Sequence, residues 1–134
     1  LVTGVQTCAL PISGHIINLS SIAGKQTYPN GNVYCASKAA VEALSAGMRQ
    51  DLNAFGIKVS NVAPGAVNTE FSNVRFKGDS AKAASVYAGF EPLVAEDVAD
   101  LIRYIVTAPA HVNIADVTIL PKAQASATQI LRKN

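Results

Sequence analysis

Three short strand-like runs, set apart by two stretches of helical periodicity, limit what this chain can fold into. The runs are HIINL (15–19), IKVSNV (57–62) and ADVTIL (115–120). The first is apolar and β-branched between Gly14 and a pair of serines, the pattern of a buried parallel strand. Between the first two runs, Ala40, Val41, Leu44, Met48, Leu52 and Phe55 recur every three or four residues. That spacing predicts a helix over 33–55, with Gly56 as its stop. Before the third run, Val98, Leu101, Ile102, Ile105 and Val106 share one face of a predicted helix over 96–107. Glu96 and Asp97 stand in its first turn, where the helix dipole favours acids. Strand, helix, strand, helix, strand predicts an α/β fold, because parallel neighbours need a crossover and a helix supplies it. Residues 24–32, with Pro29 and Asn30-Gly31, are predicted loop, and 67–90 loop with some helical content.

The chain has 134 residues, enough for one small domain. Hydrophobic residues make up 49% and charged residues 15%, against roughly 25% charged in an average domain, which excludes a disordered chain. The net charge is +2 with no basic block, so nucleic acid is not an expected partner. No apolar stretch approaches the roughly 18 residues of a membrane span, so no membrane association is expected. Cys8 and Cys35 cannot make a disulfide framework, and a cytoplasmic location is expected. The low charge fraction suits a protein that buries surface against copies of itself.

The chain opens on Leu1 and is read as a fragment. Val2-Thr3-Gly4 begins like the phosphate turn of a dinucleotide fold, which needs further glycines so that backbone N–H groups can reach the pyrophosphate. At the TGxxxGxG spacing those positions hold Cys8 and Leu10, followed by Pro11, so the turn is incomplete. Residues 2–12, VTGVQTCALPI, resemble a translated sequencing adapter. The expected organisation is a non-native segment over 1–13, a folded unit over 14–121 and a tail over 122–134.

The residues with chemical potential surround the predicted long helix. Tyr34 and Lys38 stand at i and i+4 and so share a helix face. A lysine there often just covers an aromatic ring. The surroundings argue for more. Ser20-Ser21 ends a strand thirteen residues before Tyr34, and Pro64-Gly65 ends the next. Carboxyl ends of parallel strands face the ligand crevice of such folds. His15 and His111 have no metal-ligand spacing, Cys35 fits as a packed residue, and no metal site is expected.

NLSSIAG (18–24), YCASK (34–38) and APGAVNT (63–69) resemble successive signatures of the short-chain dehydrogenase/reductase family. The resemblance covers about 14–121 and implies a partial Rossmann fold: the last three strands of a doubly wound parallel sheet with two crossover helices. It implies a hydride-transferring oxidoreductase acting on the alcohol or carbonyl of a small molecule. Ser21, Tyr34 and Lys38 would be catalytic. Tyr34, Lys38, Pro64, Gly65, Val67 and Thr69 would bind the cofactor. TEFSNVRFKGD (69–79) and AHVNIADVTILP (110–121) resemble the NADP-dependent 3-hydroxy acid and serine dehydrogenases of that family. That implies NADP, with NAD left open because the selecting residues belong to the upstream half. Ser21, Tyr34 and Arg75 would meet the substrate. The resemblance also implies a homodimer or homotetramer. The alternative is a non-catalytic binding or interaction module built on the same half-fold.

Overall fold

The structure, a computed structural model, describes residues 14–69 and 85–133. Three strands, β1 (His15–Leu19), β2 (Lys58–Pro64) and β3 (Asp116–Ile119), form one sheet in the order β1-β2-β3. Both pairings are parallel: His15 stands opposite Lys58 and Leu19 opposite Val62, while Asn61 faces Asp116 and Pro64 faces Ile119. β2 is the centre, and Val59, Ser60, Asn61, Val62 and Ala63 are each 0% exposed. Polar Ser60 and Asn61 therefore belong to the interior, despite breaking the apolar run. β1 is half-buried, having β2 as its one neighbour among the described residues.

Helices among the described residues include α1 (Ile22–Lys25), α2 (Asn32–Leu52) and α3 (Ala95–Val106). α1 corrects the predicted loop over 24–32. Ser21 adopts an extended backbone and its Oγ accepts from Ala23 N at 3.1 Å, an N-cap that starts a single helical turn. The long helix also ends sooner than predicted. Its last residues tighten into a 3₁₀ turn, Asn53–Phe55, before Gly56 takes the left-handed conformation at φ 68°. β2 runs two residues past the predicted 57–62, because Gly65 N donates to Ile119 O at 2.8 Å and carries the ladder through Pro64.

α2 packs on the sheet face that carries Asn18, whose Nδ2 donates to Ser45 Oγ at 2.9 Å. Arg49 donates to Val59 O at 3.1 Å and Ala115 O at 2.7 Å, tying the end of α2 to β2 and to the start of β3. α3 buries Ile105 completely, and Asp97 caps its start by accepting from Val94 N at 2.8 Å. The C-terminal segment folds back on itself through a bridge between Gln124 and Ile130. Lys133 N then donates to Gly89 O at 2.7 Å. Among the described residues, no helix is long and apolar enough to cross a membrane.

Candidate active site

A cavity of about 660 Å³ opens at the carboxyl ends of β1 and β2. Ser21, Tyr34, Lys38, Pro64, Gly65, Val67 and Thr69 all line it. Seven of the eight site residues singled out in the sequence thus meet in one place. The eighth, Arg75, lies outside the described residues.

Both serines line the cavity, but their hydroxyls have different partners. Ser20 is 5% exposed and its Oγ donates to Glu42 of α2. Ser21 is 8% exposed; besides capping α1, its Oγ donates to Pro64 O at 3.4 Å. That distance is long for O–H···O, so the hydroxyl is only weakly held.

Tyr34 occupies the first turn of α2 and Lys38 the next. The Lys38 Nζ lies 5.9 Å from the centre of the Tyr34 ring and donates to Leu19 O at 3.1 Å. One lysine therefore spans from the tyrosine to the last residue of β1. Gly24 makes this approach possible. A Cβ there would stand 2.7 Å from Lys38 O, so a larger residue would push α1 and α2 apart. Cys35, 2% exposed, packs beneath the same turn.

The segment after β2 is pinned on both sides. Leu93 N donates to Ala66 O at 3.0 Å, Asn68 N to Leu93 O at 2.8 Å, and Tyr87 OH to Val67 O at 2.7 Å. From the C-terminal segment, Gln124 Oε1 accepts from Ala66 N at 2.9 Å. Val98 and Ile102 of α3 and Ile130 complete apolar walls. Among the described lining residues Lys38 carries the one charge. Gln124, Tyr87 and Tyr28 line the cavity too and went unnoticed in the sequence. No periodicity or strand-end position marks them; long-range folding alone brings them in.

Behind the cavity Lys25 bridges Glu42 at 3.0 Å and Asp116 at 2.8 Å, linking α1, α2 and β3. Partial burial works against the Glu42 charge, but hydrogen bonds from Ser20 and Lys25 and the lysine's charge outweigh it and hold the carboxyl below its ordinary range. Burial likewise opposes the Lys25 charge, and the bonds to Asp116 and Glu42 prevail, raising it. Far from the cavity, His15 Nε2 meets Ser60 Oγ at 2.7 Å. Burial and then the Lys58 charge push that imidazole below its ordinary value.

The model of the short chain dehydrogenase family matches residues 4–80, more than half of the chain. The chain belongs to this family. It is 46% identical over 115 residues to the NADP-dependent 3-hydroxy acid dehydrogenase YdfG of Escherichia coli K12, covering 85% of this chain and 46% of that protein. Sulfoacetaldehyde reductase 2 of Chromohalobacter salexigens is 47% identical over 110 residues, 82% of this chain and 44% of the reductase. The closed form of a serine dehydrogenase complexed with NADP+ superposes with a TM-score of 0.83 at 43% identity, over 90% of this chain and 49% of that one. The chain therefore spans about half the length of these relatives, and its sheet is a partial Rossmann fold.

Proposed function

We propose that this chain forms the catalytic portion of an NADP-dependent dehydrogenase that interconverts the hydroxyl and carbonyl of a small 3-hydroxy acid. One observation carries the reading: Ser21, Tyr34 and Lys38 converge on a single cavity together with the Pro64–Thr69 segment. Similarity to an NADP-dependent 3-hydroxy acid dehydrogenase and to a serine dehydrogenase complexed with NADP+ supports the cofactor and the substrate class.

The residues fit the nicotinamide end of the cofactor. Apolar walls from Val98, Ile102 and Ile130 suit a flat ring, and Lys38 is placed to meet hydroxyl groups. Bound there, the nicotinamide would supply or take the hydride. Tyr34 then exchanges a proton with the substrate oxygen. The Lys38 ammonium has three N–H donors and spends one on Leu19 O, leaving two for ribose hydroxyls. Ser21 holds the same substrate oxygen by turning its weakly bound hydroxyl from Pro64 O. Arg75 is assigned to the substrate carboxylate, which its planar guanidinium can grip with two bonds. Self-association is part of the proposal: Val33 and Leu44 of α2 are 79% and 59% exposed.

The test is Tyr34→Phe in the full-length protein that carries this chain, assayed by NADPH absorbance. Loss of general acid–base help should lower kcat by about 10²- to 10⁴-fold with little change in KM. Near-parental turnover would reject the assignment.

A further inference from the structure

We propose that Gln124 is a positioning residue of this site, fixing the backbone on which the nicotinamide end of the cofactor rests; the inference builds on the dehydrogenase reading above. Gln124 is 8% exposed and uses both ends of its amide. Oε1 accepts from Ala66 N at 2.9 Å and Nε2 donates to Ser126 O at 3.1 Å. Rotating the amide by half a turn would set donor against donor and acceptor against acceptor, so its orientation is determined.

Gly65 supplies an independent observation. A Cβ built there would stand 2.2 Å from Gln124 Oε1 and 2.7 Å from Leu120 Cδ2. The glutamine occupies the space a side chain would need, so glycine serves here for close approach. Gly65 N is spent on Ile119 O at 2.8 Å, and Ala66 O on Leu93 N at 3.0 Å. The Gly65–Ala66 backbone is thus held from β3, from residue 93 and from Gln124. Of these holds, Gln124 is the one made by a side chain. Its own backbone is fixed by a turn to Pro121 O at 2.9 Å and by the bridge to Ile130. Gly65, Ala66 and Gln124 all face the cavity that holds Tyr34 and Lys38, so a shift of this backbone moves the cavity floor. The segment beyond β3 is in this way part of the site.

The test is a double-mutant cycle of Gly65→Ala and Gln124→Ala, with Gln124→Glu as a third variant, in the full-length protein that carries this chain. Two quantities are read: hydrogen exchange at the Ala66 amide, and kcat and KM with NADP+ varied over a saturating 3-hydroxy acid. Losing one buried hydrogen bond should speed Ala66 exchange about fivefold in Gln124→Ala and raise the NADP+ KM by a similar factor. kcat should fall less than about twofold, whereas general destabilisation would lower the active fraction, and so kcat, without moving KM. Gly65→Ala should be impaired more severely. Adding Gln124→Ala to it should restore part of the loss, because the methyl group gains room. Gln124→Glu keeps the acceptor oxygen for Ala66 N and, when protonated, an O–H to donate to Ser126 O. With exchange read in acid, where the carboxyl is protonated, it should keep Ala66 protected, which preserves the test if the alanine variant does not fold. Unchanged exchange and KM in Gln124→Ala, additive losses in the double variant, or an unprotected Ala66 in Gln124→Glu would each overturn the inference. A parent protein with no nicotinamide-dependent turnover would refute the functional reading alone, and the exchange cycle would still decide for or against Gln124.

Discussion

Glu42 joins three elements through two bonds, and the charge on it can be removed without changing its shape. In Glu42→Gln, Ser20 Oγ still has an amide oxygen to donate to. The loss falls on Lys25, whose ammonium now faces an amide NH2, donor against donor, where a carboxylate oxygen accepted at 3.0 Å. A hydrogen bond to a charged group contributes about 1.5–3 kcal/mol in full. The Glu42 and Lys25 side chains are 17% and 32% exposed, and Lys25 keeps Asp116 at 2.8 Å. Solvent screening and the surviving partner reduce the expected cost to about 1–2 kcal/mol. The pH dependence separates this cause from simple packing loss. Glu42 is held below its ordinary value of 4.5, so between the two values the unfolded chain binds more protons than the folded one. Its stabilisation is therefore fully present above 4.5 and lost as pH falls through the lower folded value. Urea unfolding followed by circular dichroism should show the gap between parent and variant at neutral pH, closing in acid. A gap that persists unchanged at the acid end, or is missing at neutral pH, would refute the electrostatic account.

Ser20→Ala and Ser21→Ala should differ in what they cost: the first lowers the urea midpoint by leaving Glu42 a donor short, while the second loses the α1 cap, about 1 kcal/mol, and also lowers kcat at a pH and temperature where the variant stays folded. Ile105→Ala, at a fully buried position in α3, should cost about 2–5 kcal/mol by urea unfolding, while Tyr104→Ser at 67% exposure should stay within about 0.5 kcal/mol. His15 is pushed below its ordinary 6.5, so it favours the fold while neutral, and that contribution is lost as pH falls from 6.5 through the folded value. Stability measured in that window should decline less in His15→Asn than in the parent.

The order of elements could be read from the chain because β1, β2, α2 and α3 each carry a local signature. β1 is a run of adjacent apolar residues, and α3 shows five apolar residues on one stripe. The single turn of α1 escaped because its signal is one capping serine, too short to register as periodicity. The site was visible where chemistry and chain direction coincide: Ser21 and Pro64 stand at or beside strand ends, and Tyr34 and Lys38 stand one helical turn apart. Gln124 was invisible for the opposite reason. Its partner, Ala66, lies 58 residues away, and a glutamine in a polar stretch resembles any solvated one. The role of Gly65 was equally hidden: only the fold shows that it is not among the positive-φ glycines and that Gln124 fills the space a Cβ would need.

The position of β2 explains how a three-stranded sheet can hold the whole of this constellation. β2 has a parallel neighbour on each side, and the backbone leaving it is secured by bonds to β3 and to residues 93 and 124. Ser20 N donates to Val62 O at 2.8 Å, which extends the ladder by one residue past β1 and carries Ser21 to the cavity. The close contact of α1 with α2 and the Lys38 bond to Leu19 O hold the helical turn that bears Tyr34 and Lys38. Among the described residues, contacts of β2, α1 and α2 thus bring Ser21, Tyr34 and Lys38 to one cavity.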